Sequence, residues 1–177
     1  TPVSIDNPLN QMWSTAILEV EPYTDRIVWE WHLWDHMVQE RSSDYGATFG
    51  NVEDHPELMN INEGNVVSGN GPGGSNADWI HVNAIDYNET LDQIAISSRF
   101  MSEIYVIDHS TTTEEAASHE GGNSGKGGDF LYRWGNPQIY NRVSNADQIL
   151  DDQHSVNWIP DGYPGEGNLI VFINRHN

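Results

Sequence analysis

The stretch Trp79-Ile80-His81-Val82-Asn83-Ala84-Ile85-Asp86-Tyr87-Asn88-Glu89-Thr90-Leu91-Asp92-Gln93-Ile94-Ala95-Ile96-Ser97-Ser98 decides the fold. Two short runs rich in β-branched and aromatic residues flank Asn88-Glu89-Thr90-Leu91-Asp92, which has turn composition. That is the signature of an antiparallel hairpin. Working outward, the pattern recurs. Ala16 to Val20 and Arg26 to Trp31 flank Glu21-Pro22-Tyr23-Thr24-Asp25; Glu103 to Asp108 pairs with Phe130 to Trp134; Val156 to Ile159 pairs with Asn168 to Ile173. Only Glu114 to Ser118 suggests helix.

The hairpins come in two alternating kinds. One kind is Ser14 to Val20 with Val28 to Trp31, recurring as Ser102 to Asp108 with Leu131 to Trp134. The other is Trp79 to Ile85 with Asp92 to Ser97, recurring as Gln153 to Pro160 with Gly167 to Phe172. One hairpin of each kind makes a four-stranded antiparallel propeller blade. The expected fold is therefore all-β, part of a β-propeller. Residues 1–177 form a single partial domain with a half blade at 14–31, a blade at 79–134 and a half blade at 153–174. About two blades' worth of strands cannot close a ring. The chain, which begins at Thr1 rather than Met, is expected to be a processed piece of a longer protein or to close with other chains, as a homo-oligomer for example. A small eight-stranded β-sandwich is the alternative. Three long connections, 33–78, 109–129 and 135–152, contain the glycine-rich runs Gly71 to Asn76 and Gly121 to Gly128, expected to be the most flexible stretches. The Gly-Lys in the second run is not a phosphate-binding loop, because no Ser or Thr follows Lys126.

Composition narrows the partners. Asp and Glu number 27 against 7 Lys and Arg, a formal net charge of −20. Such a surface repels nucleic acid and anionic membranes, and no run approaches the roughly 18 apolar residues of a membrane helix. Neither nucleic-acid binding nor membrane insertion is expected. The chain has no cysteine, which removes disulfides, thiolate metal sites and cysteine nucleophiles together.

Two histidines, His81 and His154, each open the first strand of a hairpin of the same kind. First strands of propeller blades line the central channel, so both imidazoles are expected to face one pocket. Arg99 is scarce as a cation, and its planar fork suits a sulfate, phosphate or carboxylate. Asn83, two residues after His81, is expected on the same strand face, its amide directed at the same oxyanion. His32 and His36 have i, i+4 spacing, but Leu33 stands where a zinc-helix motif has Glu; Asp35 and His36 are expected instead at the channel mouth. Glu53-Asp54-His55 and the Asp- and Asn-rich loops offer oxygen ligands that could bind calcium, but without calcium-loop spacing. No metal and no cofactor is expected, and the cofactor-stacking and calcium-ligand pattern of a quinone-dependent dehydrogenase propeller is not visible.

The run Asp78 to Asn88, then Ile96-Ser97-Ser98-Arg99, then Gln153-His154-Ser155-Val156-Asn157-Trp158, with Trp134-Gly135 between them, resembles the bacterial arylsulfotransferases. The resemblance implies a periplasmic or extracellular six-bladed propeller. It implies transfer of a sulfuryl group from a phenolic sulfate ester to a phenol through a sulfohistidine intermediate, without a nucleotide sulfate donor. His154 matches the nucleophile; His81, Asn83 and Arg99 match residues that bind the sulfuryl oxygens. The family also uses a histidine from an earlier blade. It typically has His after Arg99, where Phe100 stands here. The segments Trp29 to His36 and Asp108 to Glu115 resemble a subgroup of arylsulfotransferase-like proteins. The alternative function is a non-catalytic propeller that binds or assembles.

Overall fold

A computed structural model of the chain describes residues 12–63, 78–142 and 147–174; the glycine run Gly71 to Asn76 lies outside them. The centre is a four-stranded antiparallel sheet in chain order: β6 (Val82–Asn88), β7 (Gln93–Ser98), β8 (Glu103–Asp108) and β9 (Tyr132–Trp134). Two hairpins accompany it. One pairs β1 (Ala16–Glu21) with β2 (Arg26–His32); the other pairs β10 (His154–Trp158) with β11 (Leu169–Phe172).

Alternation along β7 and β8 explains how these pieces stack. Ile94, Ile96, Tyr105 and Ile107 belong to one core, with Ile17, Trp29 and Trp31 of the first hairpin. Ala95, Ile104 and Val106 point the other way, to Val156, Trp158 and Leu169 of the last hairpin. A strand places successive side chains on opposite faces, so a sheet buried on both faces needs continuous apolar runs, as β7 and β8 have. The outer faces of the two flanking hairpins expose apolar side chains, Leu18 and Val28 on one side and Ile170 and Phe172 on the other, among polar ones such as Glu30, Ser155 and Asn157. Among the described residues, helix is almost absent, none of the sheets closes on itself, and no helix is long and apolar enough to cross a membrane.

The connections hold more structure than their composition suggests. Residues 33–60 contain a small parallel sheet, in which β3 (Met37–Gln39) lies between β4 (Thr48–Phe49) and β5 (Met59–Asn60). The helix expected near Glu114 is one turn, α1 (Thr113–Ala116), closed by a capping box between Thr112 and Glu115. The run Gly121 to Gly128, expected to be flexible, is instead tied down. Gly127 N–H donates to the Gly121 carbonyl, Gly128 N–H to the Ser118 carbonyl, and Ser124 N–H to Asp108 Oδ2. In β9, Arg133 pairs with buried Glu103 and donates to the carbonyls of Pro56 and Leu58, anchoring the small sheet to the central one.

Candidate active site

The site forms where the chain enters β6 and leaves β7. His81 precedes β6 with a left-handed backbone, φ 47°, and Asn83 follows as a bulge, since Val82 faces Ser98 while Ala84 faces Ser97. The strict two-residue rule therefore does not carry Asn83 to the face of His81; the bulge aims it. Arg99 N–H donates to the His81 carbonyl at 3.1 Å and Ser98 Oγ to the Ile80 carbonyl at 2.5 Å, closing the exit strand onto the entry strand. Phe100 packs beneath both functional groups: its ring lies 4.9 Å from the His81 ring and 5.6 Å from the Arg99 guanidinium carbon.

The segment before β10 completes the cluster. Gln153 is fully buried, and its amide reaches the carbonyls of Ser98 and Glu103 at 2.6 and 3.0 Å. That clamps the segment onto the ends of β7 and β8. Its own carbonyl accepts from Asn83 Nδ2 at 2.8 Å. Asp152, adjacent, accepts from Arg99 Nε at 2.8 Å. This hydrogen bond raises the Arg99 pKa, outweighing the opposing effect of burial, so the guanidinium remains charged.

The tautomer of His154 follows from its neighbours. Nδ1 lies 2.9 Å from the Asp152 carbonyl and 3.0 Å from the Asn174 amide. A carbonyl only accepts, so Nδ1 carries the proton there, and the Asn174 amide satisfies the same proton by turning its oxygen inward. The opposite tautomer would set two lone pairs against each other, with no rotation to relieve it. Nε2 of His154 then holds the lone pair. His81 Nδ1 sits 2.5 Å from Asp78 Oδ2, an arrangement that orients the ring.

His81, Asn83, Arg99 and His154 are thus joined through Asp152 and Gln153 into one hydrogen-bonded cluster. Within the hairpin repeat the two histidines do not occupy the same position. Superposing Asp152-Gln153-His154-Ser155-Val156-Asn157 on Asp78-Trp79-Ile80-His81-Val82-Asn83 aligns the left-handed residues His81 (φ 47°) and Ser155 (φ 56°). His154 then corresponds to Ile80, one residue before the position of His81. Sequence reading missed Asp78, Asp152 and Gln153. The signal was present, since an acidic residue precedes each histidine by three and two positions, but 27 acidic residues made it unremarkable. His36, expected at the channel mouth, is fully buried, and His32 pairs with Glu30 at 3.2 Å.

A family model described as arylsulfotransferase (ASST) matches residues 7–177. The chain belongs to the arylsulfotransferase family. No curated protein and no solved structure matches it. Membership in the arylsulfotransferases supports a transferase acting on small aryl substrates, and its all-β architecture agrees with the strand-rich fold described above.

Proposed function

We propose that the chain forms two blades' worth of a six-bladed propeller that moves a sulfuryl group from an aryl sulfate to a phenol, with His154 as nucleophile. The observation that carries this reading is the fixed tautomer of His154 beside the charged Arg99. The Nε2 lone pair attacks sulfur in line, a nitrogen–sulfur bond forms, and the sulfur–oxygen bond to the aryl group breaks. His81, held by Asp78 at Nδ1 and carrying a proton on Nε2 in this step, gives that proton to the leaving phenolate oxygen. Arg99 and the remaining N–H of Asn83 bind the sulfuryl oxygens, where sulfuryl transfer, like phosphoryl transfer, needs charge neutralised. The acceptor phenol then reverses the sequence: His81 takes its proton, its oxygen attacks sulfur, and the bond to His154 breaks.

Two features support the propeller. The central sheet is flanked on both faces by hairpins, with β10 lying against β6 and β7. The outer faces of those hairpins expose Leu18, Val28, Ile170 and Phe172, apolar side chains that further blades would cover. The family reading carries a periplasmic or extracellular location, no cofactor, and partners limited to small aryl sulfates and phenols together with the rest of the propeller.

A second reading, a non-catalytic binding or assembly module, is favoured by one observation: Arg99 is already engaged by Asp152. The experiment that separates the two uses the full-length protein with an aryl sulfate. Sulfotransfer predicts phenol release that depends on an acceptor and a sulfuryl mass adduct on His154, with both lost in His154→Ala and His154→Asn. Full activity in either variant would end the nucleophile assignment; absence of adduct and turnover in the unaltered protein would favour the binding module.

A further inference from the structure

His36 is buried between α1 and the glycine run, stacked parallel to Trp31 with ring centroids 5.6 Å apart. Its Nε2 lies 2.8 Å from the Ala116 carbonyl. Since that carbonyl accepts, Nε2 bears a proton, and Nδ1 faces Asp129 Oδ1, 2.7 Å away. The same carboxylate oxygen lies 2.8 Å from Nδ1 of His119, whose side chain is half exposed. One ligand atom from each of the three residues falls within 4.8 Å of the others. None of the three contacts the sulfotransfer cluster through any hydrogen bond described above.

We propose that His36, Asp129 and His119 bind a divalent cation of the zinc class. Two imidazoles and one carboxylate are a borderline-soft donor set, suited to zinc, cobalt or nickel rather than calcium or magnesium. The Ala116 carbonyl holding the opposite nitrogen of His36 is the outer-shell bond that metal-ligating histidines ordinarily make. Gly128 provides the space, because a β-carbon there would lie 2.6 Å from His36 Nε2. Metal–ligand bonds of about 2.0–2.1 Å set tetrahedral donors about 3.3 Å apart. Asp129 must move from the imidazoles by roughly half an ångström, which the exposed side chain of His119 accommodates. The exposed flank leaves the fourth position to water. The cation would staple the 109–131 connection to the segment just before β3, so its role is structural.

The test is calorimetric titration of the chelator-treated full-length protein with zinc chloride, alongside visible absorption on adding cobalt chloride. The expected results are one zinc per chain, a rise in Tm and intense tetrahedral cobalt bands. His119→Ala, altered at a half-exposed site, should keep the metal-free Tm while weakening zinc affinity by about tenfold or more. Asp129→Asn should abolish the cobalt bands. Absence of zinc binding, or unchanged binding in His119→Ala, overturns the proposal and leaves His36 and Asp129 as a buried hydrogen-bonded pair.

Discussion

A β-carbon on Gly128 would stand 2.1 Å from the Ala116 carbonyl oxygen, far inside any real contact. Gly128→Ala should therefore lower stability by about 1–3 kcal/mol or more, measured as a reduced urea midpoint. A neutral effect would mean that the loop stands off from α1. This glycine illustrates what composition hides. Eight residues rich in glycine suggest freedom; here Gly127 supplies a left-handed backbone (φ 55°) and Gly128 a close approach. The residues of the candidate cluster differ in this respect. His81, Asn83, Arg99 and His154 stand out by side-chain type and by their place in a repeated hairpin. Asp78, Asp152 and Gln153 act through geometry, since a buried amide that clamps two carbonyls has no local sequence signature.

At the level of elements, β7 and β8 were readable because burial on both faces demands apolar continuity. The strands β3, β4 and β5 were not, since runs of two or three residues in parallel pairing leave no periodicity to detect. The loop after β8 depends on Asp108. Burial works against its ionisation, but hydrogen bonds from Ser110 and Ser124 prevail and hold its pKa below the ordinary carboxylate value. A depressed folded-state pKa contributes stability that is present above the unfolded value and lost as pH falls through the folded one. Asp108→Asn should thus cost about 1.5–3 kcal/mol near neutrality, and the difference in Tm from the unaltered protein should shrink as the pH falls below the ordinary carboxylate range. A pH-independent difference would assign the effect to packing.

For the molecule as a whole, burial is concentrated on the two faces of one sheet, and the net charge of −20 is carried by a surface that also exposes Leu18, Val28, Ile170 and Phe172. Apolar sheet faces favour association, whereas like charge opposes it. Screening shortens the reach of that repulsion from about 30 Å at 0.01 M salt to about 3 Å at 1 M. The 177-residue chain should therefore self-associate as sodium chloride is raised, seen as increasing mass in light scattering, and Phe172→Ser with Val28→Ser should blunt the rise. Constant mass across the series would mean that the two outer faces do not adhere. Those exposed faces turn acidity into a colloidal barrier: ionic strength, rather than temperature or denaturant, sets how long a solution of this chain stays clear.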